Sequence, residues 1–401
     1  MVQSRRLPSA IHRVMIAQAL SKLGDNFTEV ALAVFVLRLT HNVASLGLVL
    51  AMAFLPRLLL GPVLIGVIDH VPKRFMLVFS DIIRALLVMS IPVIHHYSYT
   101  IVAVFLLYAF AMVYQPILGG IQPQIAGDGD ILQKAMARRE TYYGVGDMTA
   151  YLAAGGLILV AGTTPAFLIN GLTFLASGLL IATLRVSPHI WAITAIRERF
   201  GVQVRQAVAF IRGHRAVLFL VVLSGLLNIA VGSINTVLTP LSPDLWHVST
   251  AHYAWLVLAM AVGLMIGGAV SERWTLAPVR GIAFGLALTG LGIAGTLLAP
   301  AWYWGLAPLA VSGFGNAFFG SSLAYLTQQA TPATVRTRVL TLRSTVMGAG
   351  GALGAYGSGW IAHLVSVPVA VLAVSALWIA LACVVLVNPA LRLPSHTTPS
   401  L

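Results

Sequence analysis

Followed along the chain, the apolar positions gather into long runs with short polar or turn-forming breaks between them. A helix that crosses a bilayer needs about 20 mainly apolar residues. Runs of that length fall at 14–37, 44–67, 75–94, 100–122, 141–162, 165–185, 216–239, 253–271, 280–300, 303–327, 340–363 and 367–388, and they predict twelve membrane-spanning helices. The first run breaks its own pattern. Its stretch SKLGDNFTEVALAVFVL, residues 21–37, holds Lys22, Asp25 and Glu29. A charge at mid-membrane costs at least ~2.5 kcal/mol, so such residues need partners or a task.

The longest hydrophilic stretch, 186–215, lies between the sixth and seventh runs. Ile196, Phe200, Val204, Val208 and Ile211 recur there at helical spacing with arginines between them, which predicts an amphipathic helix at the membrane surface. The chain is thus expected to be an all-α polytopic membrane protein of two six-helix bundles, 1–185 and 216–401, joined by a cytoplasmic loop over 186–215. A repeat supports the division. Arg139, Gly144, Gly146 and Gly155 fall on Arg343, Gly348, Gly350 and Gly359 at a constant offset. Both stretches would run in the same direction, as in transporters built from parallel repeats. Their glycine-rich faces suit close helix contacts in lipid.

Composition agrees. Hydrophobic residues make up 59% of the chain and charged ones 9%, against about a quarter charged in soluble domains. The net charge of +13 would suggest nucleic acid in a soluble protein. Here the arginines and lysines cluster in alternate loops, including Arg5 and Arg6, Lys73 and Arg74, Lys134 to Arg139, the 186–215 stretch, and Arg336 to Arg343. With the N-terminus inside, 21 of the 24 basic residues lie on the cytoplasmic side, the positive-inside pattern. Both termini are then cytoplasmic, and the cell membrane is the expected location. The basic N-terminal segment leads into the first apolar run without a small-residue cleavage site, as an anchor rather than a signal peptide. The single cysteine, Cys383, excludes an intramolecular disulfide.

Candidate chemistry centres on the intramembrane charges. Asp25 and Glu29 are four apart and share a helix face, with Lys22 on the same stripe. Arg57 follows Pro56 in the second run. Asp25, Glu29 and Arg57 form a candidate proton-coupling set, in which binding a proton weakens an ion pair and biases a conformational equilibrium. Asp81, Arg84 and Asp147 lie toward the inner ends of their runs. The Gly-Val-Gly-Asp at 144–147 has no Tyr-Asp partner, which argues against an intramembrane aspartyl protease. His95 and His96 are a poor chelating pair, and no phosphate-cradling Gly-x-x-x-x-Gly-Lys loop exists. No enzyme activity, metal or cofactor is expected.

The loop GVIDHVPKRFMLVFSDIIRALL, residues 66–87, resembles the Gly…Asp-Arg-x-x-Arg-Arg signature of the major facilitator superfamily. Asp69, Lys73 and Arg74 match it, and Asp81 and Arg84 match the Asp-x-x-Arg that often follows; His70 stands where the family usually has Arg. The resemblance implies a charged cytoplasmic clasp made by these five residues. The first helix and its loop are similar to the drug:proton antiporter branch, including macrolide-efflux-like proteins and the enterobactin exporter. That branch's helix-five signature is represented only by AAGG at 153–156, without its proline. By resemblance, Phe27, Tyr108, Tyr114, Asn228, Asn235, Phe314 and Phe318 contact a small amphipathic substrate. The expected function is proton-coupled efflux by a monomer in the lipid bilayer, with protons as coupling ion. The alternatives are an importer or lysophospholipid flippase of the same fold, or a non-transporting membrane sensor.

Overall fold

The computed structural model describes residues 9–60, 71–126, 146, 149–151, 153–187, 191, 200–274 and 276–388. These residues form helices and short connections. In chain order the helices are α1 (Ser9–Thr40), α2 (Val43–Leu59), α3 (Lys73–Ile94), α4 (Tyr97–Ala111), α5 (Tyr114–Ala126), α6 (Thr149–Ala161) and α7 (Thr164–Ala182). Then follow α8 (Phe200–Gly213), α9 (Arg215–Trp246), α10 (Tyr253–Arg273), α11 (Pro278–Gly295), α12 (Leu306–Ala330), α13 (Ala333–Leu364) and α14 (Val367–Val387). Among the described residues, six helical stretches are long and apolar enough to cross a membrane: α3, α7, α9, α10 with the preceding turn, α11 with the following turn, and α14. Helix also falls on each of the other expected spans; the fourth is shared between α4 and α5.

The helices end where the sequence supplies a cap or a left-handed residue. Asn42 caps α2 by accepting from the backbone N–H groups of Ala44 and Ser45 at 2.8 and 3.3 Å. His41, His95 and His247 take positive φ and turn the chain after α1, α3 and α9. That gives these histidines a backbone task; no group of three or more metal-ligating side chains occurs among the described residues.

α1 packs on α7 and α2, and α3 packs on α4 and α7. Among the later helices, α9 packs on α13 and α14, α11 on α12 and α14, and α10 on α12. The seam between the earlier and later helices is dominated by α2 against α13. Small residues make it. A Cβ on Gly47 would sit 2.5 Å from the Ala355 carbonyl oxygen, and one on Gly359 would sit 3.1 Å from the Gly47 Cα. Backbones approach this closely in lipid only where side chains are absent.

α8 carries the expected amphipathic pattern. Arg205 and Arg212 are exposed, whereas Ala207 and Ile211 are buried. Its apolar face, however, is covered partly by protein: Ile211 and Phe210 pack with Val217, Val221 and Val339 of α9 and α13.

Candidate intramembrane charge network

α1 carries the charged stripe past four other helices. At the lower level, Arg84 of α3 reaches across to Asp25 at 2.8 Å and to the Ser21 hydroxyl at 3.3 Å. The Arg84 side chain is only 4% exposed, against 39% for Asp25. Its guanidinium lies 3.9 Å from the centre of the Phe174 ring and 5.8 Å from that of Tyr114. Asp81, fully buried one turn before Arg84, is 3.8 Å from it and accepts a hydrogen bond from the Tyr114 hydroxyl. Burying an ion pair is tolerable only with such additional hydrogen bonds and contacts. Small residues make the close approach possible. A Cβ on Gly24 would overlap Asn170 and Thr173 of α7, and one on Gly178 would press on Asp81.

One turn further along α1, Glu29 joins three helices. Oε1 accepts from the Asn235 amide of α9 at 2.7 Å, and Oε2 accepts from the Tyr151 hydroxyl of α6 at 3.2 Å. Tyr151 also reaches Asn26, which in turn accepts from Lys22 at 3.0 Å. A carboxylate accepting from an amide and a phenol is a charge-assisted pair, stronger than its neutral counterpart. Here the pair spans 206 residues of sequence and ties an early helix to a late one. Tyr108 lies within coulombic range of Glu29, Asp25, Arg57 and Arg84. Tyr253, fully buried at the start of α10, is within range of Glu29 and Tyr108.

The expected site residues therefore take different places. Asp25 pairs with Arg84, not with Lys22 or Arg57. Arg84 is thus tied to both Asp25 and Asp81 in this buried network. Arg57 is exposed beside Gly348 of α13 and makes no hydrogen bond or ion pair among the described residues. Asp69 and Asp147 lie outside the described residues. Lys73 and Arg74 open α3, and Arg74 lies over the Trp191 ring.

Of the expected substrate contacts, Tyr114 is buried on Asp81, and the Asn228 amide donates to the Ser224 carbonyl within its own helix at 2.9 Å. Phe27 is buried in the main core. Phe318 is buried in an aromatic cluster with Phe314, Phe284 and Trp274, at ring separations of 5.2 to 6.1 Å. Asn235, Tyr108 and Phe314 are half-buried.

Sequence reasoning missed Ser21, Asn26, Tyr151 and Tyr253. Ser21 and Asn26 were findable, since they stand four before and one after Asp25. Tyr151 carries no such signal, because its partner lies on α1, more than a hundred residues away.

Comparison with known proteins identifies the architecture. The family model described as Major Facilitator Superfamily matches residues 14–256, more than half of the chain. No curated protein matches the sequence. Among solved structures, the nucleoside transporter NupG superposes with a TM-score of 0.76 at 14% identity, covering 94% of this chain and 98% of that one. The peptide transporter PepTSo gives 0.73 at 13% identity, with coverage of 95% and 97%. A bacterial homolog of the human lysosomal transporter Spinster, in an inward-facing and unoccupied conformation, gives 0.71 at 13% identity, with 95% of each chain covered. These likenesses are to the fold, and with the family match they make the chain a multi-pass membrane transporter rather than an enzyme. The chain belongs to the major facilitator superfamily.

Proposed function

We propose that the protein is a proton-coupled secondary transporter that exports small amphipathic molecules by alternating access, in the manner of the drug:proton antiporter branch. It crosses the cell membrane twelve times as two six-helix bundles, 1–185 and 216–401, joined by the 186–215 segment. Both termini are cytoplasmic, and the monomer works without a cofactor. The observation that carries this reading is the bond set of Glu29, which holds α1 to α6 and α9 at once. Protonation removes the negative charge that the Asn235 amide and Tyr151 hydroxyl hold, so the link between early and late helices loosens when a proton arrives. Only an interaction that differs between the two conformations can shift their balance, and this one crosses the seam. Asp25, on the same helix as Glu29 and paired with Arg84 of α3, supplies a second carboxylate, and Arg57 a further cation. Half-buried Tyr108 and Phe314 suit an apolar or aromatic cargo.

The test is accumulation of a panel of dyes and macrolide-like drugs in an efflux-deficient bacterial host. Wild type, Glu29→Gln, Asp25→Asn and empty vector are compared with and without a protonophore. Wild type is expected to lower accumulation, and both the protonophore and Glu29→Gln to abolish the effect. Lowered accumulation that survives the protonophore removes proton coupling. Wild type that matches empty vector while present in the membrane removes drug export.

A further inference from the structure

We propose that the protein carries a binding site for one anionic phospholipid, between the start of α3 and the end of α7, with Arg74 and Arg185 on its phosphate. This goes beyond the transport reading and rests only on the chain being embedded in a bilayer. Two adjoining cavities of about 770 and 510 Å³ open there and share Arg74 and Val186. The larger is lined by Arg74, Arg185, Thr183 and Ser187, and the smaller by Pro72, Phe75, Val78 and Trp191.

Among the described residues, three donors around these cavities have no acceptor. Neither Arg74 nor Arg185 has a hydrogen bond or ion pair with them, and the indole N–H of buried Trp191 has no hydrogen-bond partner there. Arg74 lies 5.9 Å over the Trp191 ring, which fixes its guanidinium without neutralising it. The start of α3 adds a fourth attraction. Its first turn contains no acidic residue and receives no side-chain cap, so its N–H groups face the same region with the positive end of the helix dipole.

The position distinguishes a lipid from a soluble anion. Both arginines stand at helix ends, the level at which headgroups lie. Below them run two lipid-facing rows with the same spacing: exposed Phe75, Phe79, Ile82 and Leu86 on α3, and exposed Leu168, Leu172, Leu175 and Leu179 on α7. α3 and α7 pack side by side, so the rows adjoin and lead away from the cavities. Phe75 belongs to both the cavity wall and the row. A phosphate at the arginines thus sets its acyl chains onto apolar side chains. Basic pockets between membrane helices bind such headgroups.

The experiment uses the full-length protein purified in detergent and read by native mass spectrometry against phosphatidylglycerol, phosphatidylcholine and soluble glycerol phosphate. One phosphatidylglycerol is expected to be retained at least tenfold better than phosphatidylcholine. Arg74→Gln with Arg185→Gln should erase that preference, whereas the paired lysine variants should keep most of it. Arg185→Gln alone alters an exposed side chain, so it folds if the double variant does not, and it should weaken retention several-fold. Unchanged preference in Arg185→Gln and the double variant overturns the site. Equal retention of the two lipids does so as well. Glycerol phosphate competing as well as the lipid would assign the arginines to a soluble anion instead. An equal loss in Arg205→Gln with Arg212→Gln on α8 would reduce the effect to diffuse surface attraction. Failure of drug export with retained lipid preference leaves the site standing.

Discussion

Arg84 serves two carboxylates unequally, at 2.8 Å to Asp25 and 3.8 Å to Asp81. Losing Asp25 leaves a nearly enclosed guanidinium with its weaker partner alone. Asp25→Asn is therefore expected to destabilise the protein, by less than the ~3 kcal/mol of breaking a fully buried pair because Asp25 itself is 39% exposed. Arg84→Gln in the same chain should recover part of that loss; thermal unfolding in detergent measures both. Glu29 calls for a different outcome. A glutamine there still bonds Tyr151 and Asn235, so Glu29→Gln should fold with near-normal stability while protonophore-sensitive export is lost. Asn235→Ala removes a hydrogen bond to a charged group, worth about 1.5–3 kcal/mol. It should shift the conformational balance, read as altered protease sensitivity of the seam. The charges themselves were legible in the sequence, because three ionised residues inside one apolar run stand out against a lipid background that penalises each of them. Their partners were not. Arg84 is 59 residues from Asp25, and only the packing of α1 and α3 on a common neighbour, α7, brings them together.

At the scale of elements, the glycines repeat a contact. Gly155 of α6 sets its missing side chain against Ala254 of α10, and its repeat mate Gly359 of α13 does the same against Val43 and Gly47 of α2. The repeat read from sequence thus names two related helix contacts, although it does not reveal which helices face which. A leucine at Gly354 would overlap the Ile229 backbone of α9. Gly354→Leu is expected to abolish folded protein in the membrane, measured as loss of the monodisperse peak in detergent, whereas leucine at Gly357, which faces open space, should be tolerated. The amphipathic period over 200–211 announced α8 as well. Its burial against α9 and α13 was hidden, since a period shows that one face is apolar but not whether lipid or protein covers it.

Across the whole molecule, the alternation of basic loops predicts which face each connection occupies. In a Cys383→Ser background, a cysteine at His96, between α3 and α4, is expected to react with an impermeant thiol reagent from outside intact cells. A cysteine at Arg212 should react only after lysis. The reverse order would invert the topology, and reaction of both in intact cells would contradict the alternation. The helix positions were readable because hydropathy acts locally; the seam was not, because it depends on contacts made by residues far apart. α1 also has a mechanical consequence. Its 32 residues contain no proline, and it is about 48 Å long. Such a rod transmits rotation without bending: a swing of roughly 10° about its midpoint carries each end about 4 Å. That exceeds what the 3.3 Å contact between Arg38 and Ser249 tolerates. On the proposed reading of Glu29 as the proton site, a lever of this length carries its protonation to that latch at the far surface.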